Sequence, residues 1–173
     1  ALDAADQAHR QAVASLEKKY QNLRKTLLSQ NFSFGPSIDQ LEDRLAGLES
    51  DFDKFSQLAK AGDHDAAEQV LDKLRHDTSA LEMDFDRVPP IYKDLVSGFP
   101  DQLTELETGY HQLLDQHFHF EVAKIEPEIH ALTKAIDDNI KVLGELKVSD
   151  AEAGNHAIEK RIDHLYDVMQ VEI

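Results

Sequence analysis

Apolar residues recur every three or four positions over most of this chain, and that spacing leaves it little to fold into besides long amphipathic helices. Val13, Leu16, Tyr20, Leu23 and Leu27 step by 3, 4, 3 and 4, placing one stripe on a helix predicted over residues 2–30. Asn31-Phe32-Ser33-Phe34-Gly35-Pro36 interrupts it, since glycine and proline together oppose continuation. Ser37 with Gln40 three residues on reads as a capping box. Ile38, Leu41, Leu45, Leu48, Phe52 and Phe55 then carry a second stripe over 37–61. Gly62 suits the left-handed position that closes a helix, and Asp63 suits the cap of the next.

A third helix is predicted over 63–88 from Ala67, Leu71, Leu74, Thr78, Leu81, Phe85 and Val88, ended by Pro89-Pro90 because neither proline donates an amide. A short turn over Ile91 to Ser97 precedes Gly98, and Pro100 suits the first position of a fourth helix whose dipole Asp101 and Glu105 complement. That helix is predicted over 101–147, roughly 70 Å long at ~1.5 Å per residue. Its stripe runs through Leu103, Leu106, Tyr110, Leu113, His117 and Phe120, then slips to Ile125, Ile129, Leu132, Ile136, Ile140 and Leu143. Pro127 lies at the slip, so a bend is expected there. Ser149 with Glu152 caps a last helix over 150–172, carrying Ile158, Ile162, Leu165 and Met169.

These five helices predict an all-α chain. The slip at Pro127 favours an elongated rod of two antiparallel three-helix bundles sharing the long helix. Its first half would pack with the second and third helices and its second half with the first and last. A single compact bundle, with the long helix broken at Pro127, is the competing arrangement. Asp63 before the Ala66–Leu74 stretch and Asp150 before the Ala151–Ile158 stretch give a faint internal repeat.

Catalytic and metal patterns are missing from the sequence. A di-iron bundle needs Glu-x-x-His pairs, whose ligands converge on one helix face. The chain has none, offering only Asp6-x-x-His9 in the aspartate form, and it has no His-Glu-x-x-His. His117 and His119 are two apart and diverge on a helix. Glu152 with His156, His111 with Asp115, and His117 with Glu121 stand four apart, a spacing that arises readily in so charged a helix. No two of the 7 glycines form Gly-x-Gly, so no phosphate loop or dinucleotide fingerprint can be written. Serine and histidine are present without a nucleophile elbow. The reading is a non-enzyme without metal or cofactor.

Charge narrows the partners. Lys and Arg total 18 against 34 Asp and Glu, a net charge of -16, which disfavours both nucleic acid and direct binding to anionic lipid. The same charge opposes close self-association at low salt, although side-by-side pairing of helical rods is otherwise plausible. There are 0 cysteines, compatible with a reducing compartment. No apolar run approaches the ~20 residues needed to cross a bilayer, and no signal-peptide pattern opens the chain. Gly109, in mid-helix at a cost of ~1 kcal/mol, points to close approach by a neighbouring helix with Tyr110 beside it.

Several blocks are more specific than any stripe. Phe52-Asp53-Lys54-Phe55, Gly62-Asp63-His64 and Ala67-Glu68-Gln69-Val70-Leu71 are followed by Val88-Pro89-Pro90. Then come Pro100-Asp101-Gln102-Leu103-Thr104-Glu105-Leu106-Glu107-Thr108-Gly109-Tyr110 and the closing Ile162-Asp163-His164-Leu165-Tyr166-Asp167. In this order the chain resembles EzrA, the septation ring formation regulator family of Gram-positive bacteria, over residues ~30 to 173. Related family blocks are Gly-Asp-Tyr, Ile-Pro, Pro-x-Gln-Leu-x-Glu-Leu-x-x-Gly-Tyr and Ile-Asp-x-Leu-Tyr-Asp. The chain departs at His64, at the doubled Pro89-Pro90, and at His117-Phe118 where the family repeats Gly-Tyr.

The resemblance implies an internal piece of an array of spectrin-like repeats whose N-terminal membrane anchor lies outside this sequence. It implies a place on the cytoplasmic side of the plasma membrane at the division septum. It further implies binding to the tubulin-like GTPase FtsZ and other division proteins, restraint of FtsZ ring assembly, and linkage of the ring to the membrane. It marks Gly62, Asp63, Pro89, Pro100, Gln102, Leu103, Glu105, Leu106, Gly109, Tyr110, Asp163, Leu165, Tyr166 and Asp167 as motif residues, structural or docking. Two other readings stay open. One is a pure spacer without partner contacts. The other is a ligand- or metal-binding sensory bundle, which predicts a buried polar cluster in the seam, where only His117 and Thr78 come near one.

Overall fold

The computed structural model describes residues 4–115 and 122–171, and every regular element among them is helical. In order they are α1 (Ala4–Ser29), two 3-10 turns (Asn31–Ser33 and Gly35–Ser37), α2 (Ile38–Lys60), α3 (His64–Lys93), a π-helical segment (Asp94–Gly98), α4 (Phe99–Asp115), α5 (Val122–Gly144) and α6 (Val148–Val171). The fold is all-α. The chain divides into two compact units, Ala1–Arg87 and Val88–Ile173.

In the first unit α1, α2 and the greater part of α3 bury their stripes against one another. Leu16, Leu23, Leu27, Leu41, Leu45, Leu48, Leu71 and Leu74 are all buried, each worth about 1.5–3 kcal/mol when removed from water. The turn after α1 is held by Phe34, 1% exposed, whose ring tilts against Phe85 at 5.0 Å. Gly35 beside it takes φ 54, a conformation that favours glycine. Ser37 stands at the N-cap position of α2, as expected, but without the capping-box bond. Its backbone is already helical (φ -81, ψ -9) and its side chain makes no cap hydrogen bond, because the Gly35–Ser37 turn leads straight into α2. The next turn follows expectation: Gly62 has φ 77, the Asp63 amide donates to the Leu58 carbonyl at 3.0 Å, and Asp63 Oδ1 accepts from the Ala66 amide at 3.3 Å. On the rim, Lys73 Nζ donates to Asp51 at 2.6 Å and to Asp77 at 3.0 Å, joining α3 to α2.

Tyr20 links α1 to α2, donating its hydroxyl to Glu49 while its ring meets Phe52 edge-on at 6.0 Å. Burial, with the hydrogen bond to Glu49 and its charge adding to it, pushes this phenol up from 10.0 to about 12. A raised folded-state pKa gives stability that is complete below about pH 10 and lost as pH climbs towards about 12. Tyr20→Phe is therefore expected to lose less stability than the parent chain between about pH 9 and about pH 11, read from urea midpoints at each pH. Equal losses in the two proteins would show that this phenol does not set the alkaline limb.

Three expected features of the second half are corrected by the structure. First, Pro89-Pro90 does not end the third helix. Both lie inside α3, which runs on to Lys93. Each proline costs about 3 kcal/mol in a helix interior, opposed by Val88, Ile91 and Leu95, at 0%, 6% and 0% exposure. Second, the helical run does not stop at Gly98, since the π segment leads directly into α4. Its bonding is five residues long, the Phe99 amide donating to the Asp94 carbonyl. The cause is legible in the stripe: Ile91, Leu95, Phe99 and Leu103 step by 4, 4 and 4, one residue too many for the regular alternation. The wider π turn absorbs that residue and keeps all four buried. It also gives room to the Pro100 ring, which in a regular helix would press on the Val96 carbonyl.

Third, residues 101–147 are not one helix bent at Pro127. α4 ends at Asp115, α5 begins at Val122, and the two lie side by side and antiparallel. Tyr110 Oη donates to Glu126 Oε2 at 3.4 Å across 16 residues of sequence, which one straight helix would hold ~24 Å apart. The stripe's slip marks a change of helix, and Pro127 lies inside the new one, at its sixth residue. His117, His119, Phe118, Phe120 and Glu121 lie outside the described residues. The expected sharing of partners falls with the long helix. α4 packs with α5 and α6, while α1 packs with α2. The uninterrupted helical run is instead 64–115.

Candidate docking face

The two most specific sequence blocks meet on one face of the second unit. α4 carries Pro100 to Tyr110 and α6 carries Ile162 to Asp167, and these helices pack together. Leu103, Leu106, Tyr110 and Leu165 are buried in the seam between helices, while Asp163 and Asp167 are exposed. Between them lies a cleft of about 390 Å³, lined by Glu105, Leu106, Gly109, Tyr166 and Met169 among others. Pro89 and Pro100 belong to the helical run, and Gly62 and Asp63 form the α2–α3 turn of the first unit.

Tyr166 spans the cleft, its hydroxyl donating to the Gln102 carbonyl at 3.4 Å. Burial, followed by the Glu105 carboxylate, pushes this phenol above its ordinary value, so it stays a neutral donor at physiological pH. Tyr110 is raised in the same sense by burial and by Glu126. Both phenols therefore tie helices together and neither is set up as a base.

Gly109 does face a close neighbour. A Cβ there would stand 2.7 Å from the Met169 Cε, so α6 lays a methionine end over the gap. Because that neighbour is the flexible end of a side chain, Gly109→Ala is expected to leave Tm within about 2 °C, the shift of the methyl being offset by better helix propensity. Gly109→Leu is expected to lose about 1 kcal/mol by overfilling the cleft. A thermal melt of both variants checks this, and a collapse of the alanine variant would mean that the helix backbones themselves touch.

A second cluster was missed from the sequence. Asn139 of α5 and Asn155 of α6 are 7% and 8% exposed inside the apolar seam. Asn139 Nδ2 donates to the Ala151 carbonyl at 2.9 Å and to Asn155 Oδ1 at 2.8 Å, while Asn155 Nδ2 donates to the Ile91 carbonyl at 3.1 Å. The stripes contained the signal. Stepping back by three from Ile158 lands on Asn155, and stepping on by three from Ile136 lands on Asn139, whereas the stripe residue read there, Ile140, is only half-buried. This is the polar cluster that a sensory bundle requires, but both Asn139 N–H groups and the Asn155 oxygen are already bonded within the protein.

Metal-binding geometry is absent among the described residues, where no three His, Cys, Asp or Glu side chains converge. His64 lies 3.7 Å from the half-buried Asp6, and His111 lies 4.0 Å from Glu107 as an exposed pair. No described helix is long and apolar enough to cross a membrane.

Comparison with known proteins gives one consistent answer. The model of the family "Septation ring formation regulator, EzrA" matches residues 1–173. The septation ring formation regulator EzrA of Lactiplantibacillus plantarum is 82% identical over the whole chain, which spans 30% of that protein's length. The protein of the same name from Streptococcus suis is 32% identical over 154 residues, 89% of this chain and 27% of its own length. No solved structure matches the chain.

Proposed function

We propose, from the premise that the chain belongs to the EzrA family of septation ring formation regulators, that it is a non-enzymatic scaffold segment of a cell-division regulator. In this reading the parent protein restrains assembly of the FtsZ ring, binds FtsZ and other division proteins, and links the ring to the cytoplasmic face of the membrane at the septum. The chain covers less than a third of its relatives, so its own share is to set spacing with rigid helices and to offer the outer faces of α4 and α6. The observation carrying this reading is the family match over all 173 residues. Supporting it are motif side chains that are spent on joining helices and a surface whose net charge of -16 suits a protein partner better than nucleic acid.

Co-sedimentation with polymerised FtsZ tests it, with the whole cytoplasmic region of the parent as positive control. Pelleting of the 173-residue chain above background, reduced by exchanging the exposed Asp163 and Asp167 for lysine, would place a docking surface on the α4–α6 face. Pelleting by the whole region alone would make this piece a spacer whose length is its contribution.

A further inference from the structure

We infer that the C-terminal end of α1 and the turn after it form a docking patch for an anionic bilayer surface. Leu28 and Phe32 are 73% and 75% exposed, the highest values for large apolar side chains among the described residues. Leu28 sits in the last turn of α1 and Phe32 in the 3-10 turn Asn31–Ser33 that follows. Arg24 and Lys25 precede Leu28 by four and three residues, the spacings that make neighbours on a helix surface. Both cations are exposed, away from the buried stripe of Leu16, Tyr20, Leu23 and Leu27. Neither has an ion-pair partner among the described residues.

Averaged over the chain, the net charge of -16 disfavours anionic lipid, but the charge is not spread evenly. Residues 18–38 contain no Asp or Glu, and the next longest such run is 7–16. That stretch carries Lys18, Lys19, Arg24 and Lys25. On α3, Glu82 is answered by Lys19 at 3.7 Å and Asp84 by Arg87 and Arg44. The exposed Asp39 and Asp86 stand on α2 and α3, not on the α1 surface. At physiological salt, charges more than about 8 Å away are largely screened, so headgroups meeting this end respond to its local charge. Arg24 and Lys25 then meet lipid phosphates while Leu28 and Phe32 enter the apolar boundary beneath them. A bilayer fits this patch better than a protein segment does. Docking in a groove or on a strand edge needs a concavity or an open strand. A helix end with two projecting apolar side chains is convex, and a flat, deformable surface takes it without a matching shape. The inference stands apart from the FtsZ reading, because vesicles alone test it.

Flotation at low salt with vesicles of phosphatidylglycerol and phosphatidylcholine in equal parts is the test, with pure phosphatidylcholine vesicles as the neutral control. The 173-residue chain is expected to float with the anionic vesicles only. Arg24→Glu/Lys25→Glu is expected to lower the partition coefficient about tenfold or more, and Leu28→Ser/Phe32→Ser to lower it as well. Lys141→Glu/Lys160→Glu, the same charge change at exposed sites on α5 and α6, is expected to bind as the parent chain does. Phe32→Trp, in a chain with 0 tryptophans, is expected to shift its emission to the blue on binding. No flotation of the parent chain overturns the inference, as does an equal loss in the two charge-reversed variants or an unshifted emission from floated Phe32→Trp. Absent flotation, self-association by sedimentation velocity that Arg24→Glu/Lys25→Glu abolishes would overturn it and give the patch to a second copy of the chain.

Discussion

Asn155→Leu is expected to cost about 2–3 kcal/mol, although leucine is the more apolar occupant of a buried seam. The substitution removes the acceptor for one Asn139 N–H and the added donor to the Ile91 carbonyl, stranding a buried amide donor 7% exposed. Asn139→Leu is expected to cost at least as much, because two donated bonds are lost together. Replacing both should restore most of the loss, since no polar side chain is then left unsatisfied and two methyl-rich groups fill the space. Urea unfolding of the four proteins closes a double-mutant cycle, with an expected coupling of about 2 kcal/mol or more. Additive losses would show that the two amides do not act as a pair.

The same pair shows where sequence reading succeeds and where it stops. Period gave the helical class and the core faces of α1 to α3, because burial of a stripe is a local consequence of spacing, and the chemistry of glycine and aspartate gave the turn at Gly62-Asp63. It misplaced the partners of the later helices because helix breaks there carry no breaker residues. Pro89 and Pro90 look like a terminus and are not one, since buried neighbours outweigh two missing donors. Between Asp115 and Val122 no glycine or proline announces that α4 and α5 are separate helices. The π segment was visible as three successive steps of four, but that pattern acquires meaning only when Ile91, Leu95, Phe99 and Leu103 are seen to be buried together.

The candidate face was legible in a different way. Glu105, Gly109, Tyr110 and Tyr166 were picked out by resemblance, and folding brings Glu105, Gly109 and Tyr166 around one cleft. Spacing could not have revealed that meeting, because it depends on α6 returning beside α4. Asn139 and Asn155 were hidden for the opposite reason. Their spacing placed them in the core, but Ile140 beside Asn139 offered an apolar step in its place, and the α6 stripe was read only from Ile158 on.

Thr78 offers the second large effect, with the opposite sign. It sits at a stripe position of α3, is 1% exposed, and among the described residues its Oγ1 has no hydrogen-bond partner. Other threonines in this chain solve the problem locally: Thr104 donates to the Pro100 carbonyl and Thr133 to the Ile129 carbonyl, each at 3.0 Å. A buried hydroxyl without such a bond keeps its desolvation cost, about 1–3 kcal/mol. Thr78→Val exchanges that hydroxyl for a methyl of similar size and is expected to stabilise the first unit by about 1–2 kcal/mol, raising Tm by about 3–6 °C. Thr104→Val, at an exposed site where a bond is lost, is expected to give no gain. Differential scanning calorimetry of the two variants decides the matter. A Tm for Thr78→Val at or below that of the parent chain would mean that the hydroxyl finds an acceptor in solution, the i-4 carbonyl of Leu74 being the nearest kind available on a helix.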